Sequence, residues 1–210
     1  MPGRSTPTIP ITVNKYIYLA SQSPRRSQLL EQLGVRHQLL LPGPEEDSES
    51  LEVVLPNEAP VAYVRRVTQL KLDAALKRLQ RRGLPLAPVL CSDTSVAWGR
   101  TIYGKPADNA DATRMLTELS NKTHRVLTAV ALGTPRRRVQ ALSESRVTFC
   151  QLTQAQIRRY VASGEPIGKA GAYAVQGRAA AFISHISGSY SGIMGLPLFE
   201  TAQLLRGEGF

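Results

Sequence analysis

The sequence predicts an α/β fold, with a mixed, twisted sheet and helices on both of its faces. Strand-like and helix-like segments alternate along the chain, a pattern typical of α/β proteins. Two pairs of strand-like segments are joined by short turns, and such hairpins are antiparallel. We therefore expect parallel and antiparallel neighbours in one sheet, and two lobes around a cleft.

The first half of the chain contains a well-marked helix start. Ser23 suits the N-cap, Pro24 suits the first helical position, and Gly34 suits the end of the helix. The predicted elements of this half are a strand over 15–20, a helix over 24–33, a strand over 36–41, an acidic loop over 42–57 and a long helix over 58–82.

The second half carries two further helix-start signals. Asp108 with Asp111, and Thr153 with Gln156, have the spacing of an N-cap and a third helical position. The predicted elements are a strand over 88–93, a hairpin turning at 99–100, a helix capped by Asp108, a long hairpin turning at 133–135, a helix over 154–163, a glycine-rich stretch over 164–177, a strand over 181–186 and a helix over 197–206.

Composition excludes several classes of protein. The 210 residues are 42% hydrophobic and 20% charged, as in an ordinary globular protein. Apolar runs reach only five residues, whereas a membrane helix needs about 20. No secretory signal is recognisable, and Cys91 and Cys150 make no disulfide framework, so we expect a cytoplasmic protein without a membrane partner. Residues 1–14 hold three prolines and are interpreted as a flexible tail, followed by a single domain over 15–210.

The charge balance suggests an anionic partner. There are 26 lysines and arginines against 16 acids, a net charge of +10, which favours nucleotide phosphates, nucleic acid or a membrane surface. A nucleic-acid-binding protein needs stacking aromatics or a reading helix, yet aromatic residues make up only 6% and the 45–58 segment is acidic. No specific nucleic acid is therefore expected.

The segment from Ser21 to Arg26, SQSPRR, lies where a strand ends and a helix begins. Backbone N–H groups and the helix dipole favour an anion at that point. Arg25 and Arg26 in the first turn oppose the dipole, and an anion between them would explain their presence. The alternative is an ordinary helix start with two solvent-exposed arginines.

Three later segments could complete such a site. Ser92-Asp93-Thr94 follows an apolar strand, and we expect its carboxylate at the strand's end, where ligands bind in open α/β sheets. Asp93 could hold Mg²⁺ or deprotonate a water, or it could be a simple turn residue. Lys105, in a Gly-Lys-Pro turn, suits a phosphate contact. The glycine-punctuated stretch from Lys169 to Gly177 could let backbone approach a ligand.

Together these segments resemble one family. LASQSPRRSQLLEQLGV, SDT with a following GKP, MLTELSNKTHRVLTAVAL, YVASGEP, KAGAYAVQG and GSYSGIMGLP are similar to the signatures of the Maf nucleotide pyrophosphatases, in order from about Ile17 to Leu205. The resemblance implies a fold related to the inosine triphosphate pyrophosphatases. It also implies hydrolysis of a nucleoside triphosphate to the monophosphate and pyrophosphate with a divalent cation, Mg²⁺ or Mn²⁺. A homodimer is possible.

Within the family, the SPRR, SDT and KAGAYAVQG forms resemble the branch that acts on dTTP and UTP. The alternatives are the branch that acts on 7-methyl-GTP, or a non-catalytic regulator of cell division. The site residues that follow are Asp93 as catalytic acid and metal ligand; Glu46 as second metal ligand; Arg25, Thr94 and Gln176 for specificity; and Ser23, Arg26, Lys71, Lys105 and Lys169 for the phosphates. The chain departs from the family pattern at Asn121, where glycine is usual, and at Gly168, where an acid is frequent.

Overall fold

The computed structural model describes residues 15–47, 50–207 and 210 and contains a mixed seven-stranded sheet. The predicted tail, 1–14, lies outside the described residues. The strands are β1 Ile17–Leu19, β2 His37–Leu39, β3 Val89–Trp98, β4 Thr101–Tyr103, β5 Thr123–Gly133, β6 Arg138–Phe149 and β7 Ile183–Ser187. The α-helices are α1 Pro24–Gln32, α2 Pro60–Arg81, α3 Asn109–Leu119, α4 Gln154–Val161, α5 Tyr190–Met194 and α6 Leu198–Arg206.

The sheet confirms the mixed topology. Its strand order is β2-β1-β3-β5-β6-β7, and β4 pairs with β3 outside this path. β1 is parallel to β2 and β3, because α1 and α2 are the crossovers that return the chain in the same direction. The other pairings are antiparallel and include both predicted hairpins, β3–β4 and β5–β6.

Helices cover both faces of this sheet, because side chains alternate along each strand. On one face, Leu72 and Ala75 of α2 pack against Cys91 of β3 and Ala131 of β5. The opposite face is covered by two clusters. One joins α1 and α6 to β1 and β3, and the other joins α3 and α4 to β5 and β6. Among the described residues, no helix is apolar over a length that would cross a membrane.

The predicted helix starts are confirmed. The Asp108 carboxylate accepts a hydrogen bond from the Asp111 amide at 2.8 Å. Thr153 and Gln156 form a reciprocal capping box. These signals act within a few residues of chain, so local sequence was enough to place them.

The prediction for the end of the third strand was wrong. The predicted strand over 88–93 ends at Asp93, whereas β3 continues to Trp98, because its pairing with β5 runs on through Asp93, which lies opposite Ala129. On its other edge, β3 pairs with β1 only at Val89 and Leu90, and with β4 only from Val96 onward. Within the described chain, the part of this edge between Leu90 and Val96 has no neighbouring strand. Asp93 therefore lies mid-strand, beside a gap in the sheet.

Candidate active site

The gap beside β3 opens into a cleft of about 920 Å³. The start of α1, the acidic loop and α2 contribute to it, as do the turn after β4 and the glycine-rich segment before β7. The structure brings all the predicted site residues to the walls of this cleft, namely Ser23, Arg25, Arg26, Glu46, Lys71, Asp93, Thr94, Lys105, Lys169 and Gln176.

Arg26, at the start of α1, is bonded both to the strand end that precedes the helix and to a distant part of the chain. Its Nε donates to the Gly195 carbonyl at 2.8 Å, and its Nη1 donates to Ser21 Oγ at 3.1 Å. Burial lowers the pKa of Arg26, although the nearby Asp93 carboxylate partly opposes this. The alternative of an ordinary solvent-exposed helix start therefore does not hold for Arg26.

Ser92 and Thr94 lie on the face of β3 that packs against α5. The Ser92 hydroxyl is 2.9 Å from the carbonyl oxygen of Gly195. The Thr128 hydroxyl donates to the Gly192 carbonyl at 2.7 Å, so the Thr94 hydroxyl is the donor in its 3.0 Å contact with Thr128. These bonds fix β3 against α5 and leave the Thr94 oxygen able to accept a bond from a ligand.

Asp93 lies on the opposite face of β3, towards α2. Lys71 of α2 donates from Nζ to Asp93 Oδ1 at 2.5 Å and to Glu52 Oε1 at 2.8 Å. Glu52 also accepts from Lys105, at 3.0 Å through Oε2. Burial acts to lower the pKa of Lys71, but the two carboxylates outweigh it and the pKa is raised. Burial acts to raise the pKa of Glu52, but the two lysines outweigh it and the pKa is lowered. Lys71 and Glu52 therefore hold each other in their charged forms.

Glu46 is bound elsewhere, and the structure does not bring it into contact with Asp93. Its carboxylate accepts from Arg78 at 2.7 Å and from Arg81 at 2.6 Å. The hydrogen bonds from Arg78 lower the pKa of Glu46 to about 2. Arg78 is only 5% exposed and also donates to the Leu40 carbonyl at 2.9 Å. Glu46 therefore fastens the loop to α2, and it is Glu52 that shares a lysine with Asp93.

Sequence reasoning missed Glu52. The segment from 45 to 58 contains several acids without a helical or alternating spacing, so no rule of periodicity separates one from another. The available signal was compositional: acidic residues are concentrated in this segment, whereas the rest of the chain is rich in basic residues.

A second wall of the cleft is formed by the segment around Lys169. Burial lowers the pKa of Lys169, and the positive charge of Arg25 lowers it further. A lysine and an arginine from different parts of the chain thus approach each other, an arrangement that an anion between them would stabilise. Gln176 is exposed at the rim of the same wall.

The segment carrying Lys169 is attached to the turn carrying Lys105. The Gly171 amide donates to the Gly104 carbonyl at 3.0 Å. Gly171 has φ of +68°, and a Cβ there would come within 2.9 Å of the Val96 side chain. Both its backbone conformation and the close approach of Val96 require glycine at this position.

The side chains present suit a divalent cation that the substrate helps to hold. Within the described chain, no group of three or more His, Cys, Asp or Glu side chains could hold a metal ion unaided. Carboxylate oxygens are the ligands that Mg²⁺ prefers, and it is usually held by one or two of them together with substrate phosphates. Asp93 and Glu52 fit that description, since both already share one cationic partner, Lys71.

Fold and site together define a class. They describe an α/β protein whose cleft surrounds a pair of carboxylates with arginines and lysines, as required to bind a phosphate chain and hydrolyse it. Residues 16–208 match the family described as Maf-like protein. The chain belongs to the Maf family.

Several relatives are similar over nearly their whole length. The chain is 77% identical over 198 residues to the dTTP/UTP pyrophosphatase of Albidiferax ferrireducens, covering 94% of this chain and 99% of the relative. It is 71% identical over 194 residues to the protein of the same name from Polaromonas sp., covering 92% and 96%. The Ham1 protein of Staphylococcus aureus aligns with 92% of this chain and 100% of its own, at 12% identity and a TM-score of 0.43, too low to support a conclusion.

Proposed function

We propose that this chain is a nucleoside triphosphate pyrophosphatase that hydrolyses dTTP and UTP to the monophosphate and pyrophosphate. Two relatives that carry this activity in their names are 77% and 71% identical to it. The observation that carries the proposal is the cleft, where a carboxylate and its lysine, Asp93 and Lys71, lie among cations from four separate segments.

The cations would bind the triphosphate chain. Arg26 is already oriented by Gly195 and Ser21, so its guanidinium needs little reorganisation to donate to a phosphate oxygen. Lys71 and Lys105 would turn from their carboxylates towards the phosphates, and Arg25 and Lys169 would approach from the other side. Ser23, at the N-cap of α1, would add the backbone donors of a helix start.

Asp93 would act as the general base. Before substrate binds, Lys71 donates to one oxygen of its carboxylate. Once Lys71 has turned towards the phosphates, the Asp93 carboxylate would be able to accept a proton from the attacking water. The water oxygen bonds to the α-phosphorus, and the bond from that phosphorus to the bridging oxygen breaks. The electron pair departs with pyrophosphate, whose developing charge the arginines and lysines neutralise. A bound Mg²⁺ or Mn²⁺, held by Asp93 and Glu52, would supply an acidified water and further neutralise charge.

Selection of the base would fall to the exposed rim. Gln176 has an amide with both a donor and an acceptor, which matches the imide edge shared by thymine and uracil. Arg25 and Thr94 line the same cleft and would contribute to this selection. Such a set would accept dTTP and UTP alike.

The test is a panel of nucleoside triphosphates, with separate detection of pyrophosphate and orthophosphate. We expect dTTP and UTP to give pyrophosphate and the monophosphate in the presence of Mg²⁺ or Mn²⁺. Release of orthophosphate with a diphosphate would contradict attack at the α-phosphorus. A preference for 7-methyl-GTP would contradict the assignment to the dTTP/UTP branch. The absence of turnover with every triphosphate would favour a non-catalytic role.

A further inference from the structure

The loop segment over residues 50–58 is fastened to α2 at several points. The Tyr63 hydroxyl donates to the Glu52 carbonyl at 2.8 Å. Arg66 donates to the Val53 carbonyl at 2.8 Å and binds both oxygens of Glu58, at 2.6 and 2.7 Å. Because the backbone at Glu52 is held in this way, its side chain reaches the cleft from a fixed position.

That side chain occupies the two lysines assigned above to the phosphates. Lys71 donates to Glu52 at 2.8 Å, and Lys105 donates to it at 3.0 and 3.2 Å. Lys71 also donates to the Asp93 carboxylate. Two positive and two negative charges therefore balance within one corner of the cleft before any substrate enters.

This balance treats two forms of the substrate differently. A metal-free triphosphate must draw both lysines away from Glu52, and it then faces two uncompensated carboxylates across a partly buried site. A triphosphate that carries a divalent cation brings a positive charge, which replaces the lysines as the partner of those two carboxylates. The lysines then exchange a carboxylate for a phosphate, while Glu52 and Asp93 exchange a lysine for the cation.

We propose that Glu52 is a specificity-determining residue that makes the cleft select the metal complex of the triphosphate over the metal-free form. This inference rests on the proposed function. The Glu52 carboxylate repels the metal-free triphosphate, and it makes a new contact with the cation of the metal complex. One side chain therefore acts on the affinity for both forms.

The experiment is calorimetric titration with α,β-imido-UTP, in which nitrogen replaces the bridging oxygen of the bond that would break. Each protein is titrated with Mg²⁺ present and with the metal removed by a chelator. The wild-type chain should bind the complex more tightly than the metal-free analogue. In Glu52→Gln the metal-free form should bind more tightly and the complex more weakly. The preference should fall about tenfold to a hundredfold, the scale of one charge-assisted hydrogen bond.

Two matched variants on the same loop serve as controls. Glu45→Gln removes the same charge from an exposed residue outside the cleft, and it should keep the wild-type preference. Glu46→Gln should also keep it, because that carboxylate is bound to Arg78. Melting curves establish that each variant is folded, and Glu52→Ala provides a second substitution at the same position.

An unchanged preference in both Glu52 variants would overturn the inference, as would a collapse in Glu46→Gln alone. Inorganic triphosphate, titrated in the same way, separates this result from the proposed function. Inorganic triphosphate could show a metal preference that depends on Glu52 while dTTP and UTP are not turned over. That result would support the inference and contradict the proposed substrates. Turnover of both nucleotides with an unchanged preference would do the reverse.

Discussion

The two walls of the cleft differ in how firmly their charged side chains are held. On the wall built by α1, α2 and β3, Arg26 is bonded to Ser21 and Gly195, and Lys71 is bonded to two carboxylates. On the opposite wall, the described residues provide Lys169 with one 3.3 Å bond, to the Ile167 carbonyl. We infer that the first wall is preorganised for the reaction and that the second adapts to the nucleotide. Substitutions on the first wall should therefore cost both turnover and stability, and those on the second should change selectivity.

The largest effect is expected for Asp93→Asn. The amide keeps the size of the side chain but cannot accept the proton, and general-base catalysis is typically worth about 10²–10⁴ in rate. Lys71 also loses the negative charge at its shortest contact, so the melting temperature should fall rather than rise. Turnover of UTP and thermal denaturation of the same variant test both effects. Substantial turnover would remove Asp93 from the mechanism.

Arg26→Ala should be next in size. Removing a preorganised charged donor should cost about 2–4 kcal/mol of transition-state stabilisation. The variant should also lose about 1–3 kcal/mol of stability, because it leaves the Gly195 carbonyl and the Ser21 hydroxyl without this donor. Arg25→Ala is the comparison, as its neighbour on the same helical turn. Equal melting temperatures for the two variants would contradict a stabilising role for the two hydrogen bonds of Arg26.

Glu46→Gln should affect stability with little effect on catalysis. The buried Arg78 would keep only part of its hydrogen bonding, at a cost of about 1–3 kcal/mol. Glu46 has a folded-state pKa of about 2, below its ordinary value of 4.5, so its contribution is complete above about pH 4.5 and is lost as pH falls towards 2. Unfolding measured between pH 2 and 6 should therefore show a smaller acid dependence in the variant (~1 proton fewer). Identical slopes would contradict this assignment.

The smallest effect on rate is expected for Gln176→Ala. Loss of one neutral hydrogen-bonded contact should cost about 0.5–1.5 kcal/mol in kcat/KM. It should appear mainly in KM for dTTP and UTP, with melting unchanged because the side chain is exposed. A panel including dCTP gives the readout, since selectivity against that base should weaken. A large drop in kcat with unchanged selectivity would place Gln176 in the reaction instead.

Sequence was informative where structure is decided locally. Helix starts, hairpins and glycine positions followed from residues a few positions apart, as at Asp108 and Thr153. Even the two departures from the family pattern have local reasons. Asn121 has φ of +55° and Gly168 has φ of +73°. Asparagine tolerates that left-handed backbone, and glycine adopts it without strain.

Sequence was less informative where partners are distant. The mid-strand position of Asp93 depends on its pairing with Ala129 of β5. In the sequence, β4 and α3 separate these two strands. Which acid of the loop shares a lysine with Asp93 depends on the cation of α2 that each acid meets, Arg78 for Glu46 and Lys71 for Glu52. The acidic loop has no periodicity that would have indicated either pairing.

The hydrogen bond from Gly171 to Gly104 has a consequence for motion. It joins the turn that carries Lys105 to the segment that carries Lys169, and Val96 packs against the junction. We infer that the backbone positions of these two lysines are coupled, so that a displacement of one segment is passed to the other. Both charges would then reach the phosphate chain together, and pyrophosphate would leave both together.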